Sequence, residues 1–84
     1  MLTYLTEHTV SGMTDIHLRS ARAALAETTR RLSLTGKPIR LLDCSYSSEH
    51  RLVCRFAATD ETQVRQALEL AQLPLPAVCR LIDI

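Results

Sequence analysis

The chain has 84 residues, enough for one domain near the lower end of what folds alone. Hydrophobic residues make up 46% of it and charged residues 23%, with only two Gly and three Pro, which excludes disordered and collagen-like chains. Ten basic residues against nine acidic ones give a formal net charge of +1, so no strong field draws the protein to nucleic acid or to a lipid surface. No apolar run approaches the roughly 18–20 residues that span a bilayer. The start, Met1-Leu2-Thr3-Tyr4, lacks the basic residues and long apolar stretch of a signal peptide. The expectation is a single domain over residues 1–84, cytoplasmic, with neither membrane nor nucleic acid as a partner.

Residues 2–10 are rich in Thr, Tyr, Leu and Val and read as a strand. Ser11-Gly12 breaks it, and Thr14 or Asp15 can cap a helix by accepting a hydrogen bond from a free N–H of the first turn. From about Ile16 to Ser33, Leu18, Ala21, Leu25, Thr28 or Thr29, and Leu32 recur at helical spacing. Arg19, Arg22, Glu27, Arg30 and Arg31 fall largely off that stripe, which predicts an amphipathic helix ended by Gly36 and Pro38.

Residues 39–47 and 51–58 predict a hairpin. Leu52, Cys54, Phe56 and Ala58 alternate with Arg51, Val53, Arg55 and Ala57, so one face is buried. A turn centred on Glu49 sets Tyr46 opposite Leu52, Cys44 opposite Cys54 and Leu42 opposite Phe56. The same register pairs Asp43 with Arg55 on the other face. Asp60 and Gln63 then resemble a capping box for a second helix with an inner stripe of Val64, Ala67, Leu68 and Ala71. Pro74 and Pro76 stop this helix, and residues 77–84 read as a final strand.

The element order is therefore βαββαβ. Right-handed crossovers give an α+β, ferredoxin-like fold whose antiparallel sheet, with strands numbered in chain order, runs 4-1-3-2 and carries both helices on one face. Leu41, Val53 and Ala57 fall on the other face with Arg51, Arg55, Asp43 and Ser45. A face this apolar favours covering by a second copy, so the expected assembly is a homodimer through the open sheet face, a dimeric α+β barrel.

The three cysteines, Cys44, Cys54 and Cys79, are odd in number and lack CxxC spacing, which argues against a disulfide framework. As cross-strand neighbours, Cys44 and Cys54 could share a soft metal or form a strained redox disulfide; the favoured reading makes them small core hydrophobes. His8, at the exit of the first strand, His17 and Asp15, at the start of the first helix, and Glu49 and His50, in the hairpin turn, all fall at one end of the sheet. Imidazole and carboxylate donors suit Ni, Zn, Cu or Fe, although turns and helix starts also collect polar residues for no such reason. The few aromatics and the absence of RNP-like motifs disfavour an RNA-binding sheet. No P-loop, GxGxxG or GxSxG is present.

The stretch Ser45-Tyr46-Ser47-Ser48-Glu49-His50-Arg51-Leu52-Val53-Cys54-Arg55-Phe56-Ala57-Ala58 resembles a family of small bacterial proteins of similar length described as nickel-responsive or nickel-binding. Asp60, Glu61, Val64, Arg65 and Leu73-Pro74 continue the likeness, and Tyr4-Leu5-Thr6-Glu7-His8 is similar to the family's Tyr-x-x-Glu-Arg strand. Ala67 stands where the family often has His, and His8 where it has Arg. The resemblance implies a ferredoxin-like fold, a dimeric barrel and metal binding. The leading expectation is a small, non-enzymatic dimeric binding protein for nickel, or for zinc or copper, through His8, His50 and Glu49, with His17 and Asp15 as outer ligands. The alternative is a cofactor-free dimeric-barrel enzyme of monooxygenase or isomerase type, with a cavity lined by Tyr46, Cys54, Arg51 or Arg55. A third reading is an interaction subunit that pairs through its edge strands.

Overall fold

A computed structural model describes residues 1–74 and 76–82. Thr, Tyr and Leu alternate in strand β1, Leu2–Thr9, which buries Tyr4, Thr6 and His8 on one side. Helix α1, Asp15–Leu34, starts at Thr14, whose hydroxyl accepts from the His17 N–H at 3.2 Å, while the Thr14 N–H donates to His17 Nδ1 at 3.4 Å. His17 thus stands where a capping box usually has Glu or Gln. Helix α1 buries Ala21, Leu25, Thr29 and Leu32, the predicted stripe.

Strands β2, Ile39–Tyr46, and β3, Arg51–Ala58, form the hairpin. Its turn closes with Ser47 N–H donating to Arg51 O and His50 N–H donating to Ser47 O. His50 adopts the left-handed conformation, φ 61°, that a three-residue hairpin loop demands of its last residue. Tyr46 opposes Leu52, Cys44 opposes Cys54 and Asp43 opposes Arg55, as the alternation predicts.

Leu42 does not oppose Phe56; Leu41 does, and Leu42 is an extra, bulged residue. The bulge follows from parity. Ile39 and Cys44 are both buried, yet they lie an odd number of residues apart, so a regular strand could not turn both inward. As a result Leu41 packs against the core rather than on the open face, and Leu42 is exposed.

Helix α2, Glu61–Leu70, is capped by Asp60, which accepts from the Gln63 N–H at 2.9 Å. The Gln63 amide oxygen accepts from the N–H and hydroxyl of Thr59, one residue earlier than a capping box would reach. Gln72, φ 60°, ends the turn after the helix, before either proline. Strand β4 covers Val78–Ile82; positions 83 and 84 of the predicted strand lie outside the described residues.

All pairings are antiparallel, in the order β2-β3-β1-β4. Leu25 and Leu32 of α1 and Val64, Ala67 and Leu68 of α2 pack with Tyr4, Leu52, Cys54 and Phe56 in one core. Burying a Leu or Phe side chain contributes about 1.5–3 kcal/mol, so this cluster supplies most of the drive to fold. The opposite face of the sheet carries Leu5, Val53, Ala57, Val78 and Ile82 together with charged side chains, and among the described residues no element covers it.

Candidate functional site

Strand periodicity places His8 with Tyr4 and Thr6, on the helix side of the sheet, and its side chain is 1% exposed. Its Nδ1 lies 2.9 Å from Pro74 O, and its Nε2 lies 3.0 Å from Thr6 Oγ1. A carbonyl can only accept, so Nδ1 carries the proton and Nε2 accepts from the Thr6 hydroxyl. Burial pulls the His8 pKa below its ordinary value, the hydrogen bond to Pro74 opposing this only in part, and the ring is held neutral.

His8 and Thr6 adjoin a pair of buried thiols in the core. Thr6 opposes Cys54 across β1 and β3, on the same face of the sheet. Cys54 Sγ lies 3.1 Å from Cys44 Sγ, both cysteines unbridged. On the imidazole side the directions are fixed: Thr6 Oγ1 donates to His8 Nε2, and His8 Nδ1 donates to Pro74 O. No buried side-chain polar atom among the described residues lacks a partner. The Arg22 guanidinium of α1 donates to Cys44 O from Nε at 3.1 Å and Nη2 at 2.6 Å, covering a carbonyl of edge strand β2.

The other expected ligands stay outside this cluster. His17 and Asp15 are exposed in the first turn of α1, and the His17 Nδ1 is engaged by Thr14. Glu49 and His50 are exposed in the hairpin turn, where His50 Nδ1 lies 3.2 Å from the Tyr46 hydroxyl, itself donating to Val10 O. The topology does bring His8 and the hairpin turn to the same end of the sheet, since Thr9 opposes Arg51 and Val10 N–H donates to His50 O. The side chains nevertheless diverge, with His8 turned inward and His50 outward. Among the described residues, no group of three or more His, Cys, Asp or Glu side chains is placed to hold a metal ion. Of the expected ligands, the one buried imidazole, His8, has both ring nitrogens within hydrogen-bond distance of protein partners.

The residues named for an enzyme cavity also divide. Tyr46 and Cys54 lie on the helix side, whereas Arg51 and Arg55 lie on the open face, so the four do not line one pocket. Arg51 instead borders a recess of about 230 Å³ with Glu7, His8 and Val78, and its guanidinium lies 3.9 Å from the Glu7 carboxylate. Arg55 is paired with Asp43 through Nε at 2.9 and 3.0 Å and through Nη2, which draws the Asp43 pKa down. A second, more apolar cleft of about 440 Å³ opens between the end of α1 and β2, bordered by Ala26, Leu34, Pro38 and Leu41.

The architecture has a solved counterpart. The chain superimposes on the crystal structure of SCO4226 from Streptomyces coelicolor A3(2) with a TM-score of 0.84, over 98% of this chain and 96% of that one, at 12% sequence identity. At that identity the likeness establishes the fold and nothing further. No family model matches the sequence, and no curated protein matches it.

Proposed function

We propose that the chain is a small, non-enzymatic binding protein that works as a homodimer of ferredoxin-like subunits, the two uncovered sheet faces packed together into an α+β barrel. The observation that carries this reading is the composition of the uncovered face. Leu5, Val53 and Ala57 form an apolar centre on the two middle strands, continued by Val78 and Ile82 on β4. Glu7–Arg51 and Asp43–Arg55 flank that centre as pairs of opposite sign. Paired charges around an apolar centre suit an isologous contact, in which each patch meets its own copy.

The ligand belongs in the space between the sheets or at the end of the barrel where the hairpin turns gather. A transition-metal ion is the first to test there, because the exposed His17, His50 and Glu49 would need donors from a second subunit to complete a site. The experiment is native mass spectrometry of the purified protein with and without Ni²⁺, Zn²⁺ and Cu²⁺, on wild type and on Val53→Asp. A wild-type dimer and a folded Val53→Asp monomer support the reading. A wild-type monomer, or a Val53→Asp dimer, overturns it. Stoichiometric metal on the dimer, lost with His17→Ala/His50→Ala, identifies the ligand as a metal; a metal-free dimer directs the ligand search to the space between the sheets.

A further inference from the structure

We propose that Cys44 and Cys54 form a built-in dithiol that closes to a cross-strand disulfide inside the core when the protein meets a small peroxide. This goes beyond the dimer and rests on different atoms. The hydrogen-bond alternation of the sheet carries it. His50 O accepts from Val10 N–H on the β1 side, and alternation in steps of two residues along β3 makes Cys54 bond its backbone to β1, opposite Thr6. Cys54 and Cys44 are then a non-hydrogen-bonded pair. The Ser47–Arg51 bond at the turn gives the same answer, counting back from the other side. So does Cys44 O, which faces off the sheet edge and is taken up by Arg22.

The distinction matters because non-hydrogen-bonded partners bring their Cα atoms to about 4.5 Å, within the span that a disulfide bridges. Both side chains already point to the same side, with the sulfurs 3.1 Å apart. That spacing also disfavours a shared metal, since two thiolates on one zinc, each about 2.3 Å from the ion, stand further apart. Closure needs little backbone movement.

The two thiols are not equivalent. Hydrogen bonding from Cys54, with the Arg22 guanidinium nearby, pulls the Cys44 thiol below its ordinary value. The reciprocal bond and burial push Cys54 up. Cys44 lies on edge strand β2, two residues from the Leu42 bulge, and is the attacking group. Its thiolate attacks one peroxide oxygen, an S–O bond forms, the O–O bond breaks, and hydroxide leaves to become water. The resulting sulfenic acid is attacked by Cys54: the S–S bond forms, the S–O bond breaks, and the leaving hydroxide takes the Cys54 proton as a second water. Two thiols lose two electrons and two protons, and one hydrogen peroxide is reduced to two waters. Both sulfurs are buried in the resting fold, so the rate follows local opening of β2.

The test uses the full chain carrying Cys79→Ser, treated with hydrogen peroxide and read by intact mass and peptide mapping. The expected product has lost the mass of two hydrogens, contains a Cys44–Cys54 cross-link within one chain, resists alkylation after denaturation, and returns to the starting mass with dithiothreitol. Recovery of both thiols in alkylatable form, a product that only gains oxygen, or a cross-link only between chains overturns the proposal. In Cys54→Ala the reaction should stop at a sulfenic acid on Cys44 that dimedone traps. If Cys44→Ala instead yields the faster dimedone adduct, on Cys54, the assigned order of attack is wrong.

Discussion

Lowering the pH from 7.5 should destabilise the fold through a single buried imidazole. His8 is neutral in the folded state, with its pKa below the ordinary 6.5 because burial penalises the cation. In the unfolded chain the ring protonates near 6.5. Below that pH the unfolded state therefore binds more protons than the folded one. Since the slope of unfolding free energy with pH has the sign of that excess, stability falls as pH falls below 6.5. At its steepest, between the unfolded and folded pKa values, the loss approaches about 1.4 kcal/mol per pH unit. A domain of this size has a total stability of roughly 4–13 kcal/mol, so even a part of that loss is measurable. Each 1 kcal/mol lost lowers the melting temperature by roughly 4–8 °C.

Carboxylates contribute in a separate window. Glu27, held to about 2 by hydrogen bonds from Arg30 and Arg31, and Asp43, lowered by Arg55, lose their contributions only as the pH drops through the carboxylate range. The assay is urea denaturation followed by circular dichroism at half-unit steps from pH 7.5 to 5.0, on wild type and His8→Gln. Glutamine can still bond Pro74 O or Thr6 but cannot take up the proton, so His8→Gln should start less stable and show a much flatter profile. A wild-type profile level across this range, or one equally steep in His8→Gln, would refute the assignment of a buried neutral ring.

Other substitutions probe the packing. Leu25→Ala empties a fully buried site and should cost about 2–5 kcal/mol in chemical denaturation. Leu41→Asp should be strongly destabilising while Leu42→Asp stays within about 0.5 kcal/mol, a contrast that a strand without a bulge would reverse. His50→Gly removes a side chain from a left-handed position and should raise stability by about 0.5–1 kcal/mol in thermal melts, provided its contact with Tyr46 is worth less. Arg22→Ala should uncover Cys44 O and speed amide exchange in β2 relative to β1.

Much of the fold is legible in residue order because each strong signal is local. The Leu52-Cys54-Phe56 alternation, with a turn centred on Glu49, determines the hairpin register, and the stripe from Ala21 to Leu32 determines the buried face of α1. The bulge at Leu42 also leaves a trace: apolar residues sit at 39 and 41, then at 44 and 46, a change of parity that only an extra residue reconciles. Regular alternation continued upstream from Cys44 overrides that trace and misassigns Leu41 and Leu42.

The site is less legible. The position of His8 at a strand exit suggests an exposed ligand, but its parity with Tyr4 and Thr6 directs the ring into the core, and strand parity outweighs strand position. The pairing of Thr6 with Cys54 depends on how β1 aligns with β3, and no hairpin fixes that register. It is set by the long-range packing of both helices on the sheet, which residue spacing does not encode. The Cys44–Cys54 pairing, by contrast, follows from the hairpin itself.

The most direct test of the homodimer is isotope-filtered NMR on a mixture of labelled and unlabelled chains. The proposed face-to-face packing predicts intermolecular contacts among the methyl groups of Leu5, Val53, Ala57 and Val78, and none from Leu25 or Leu68 on the helix side. Intermolecular contacts confined to helix residues, or a monomer with no intermolecular contacts from the sheet face, would contradict it.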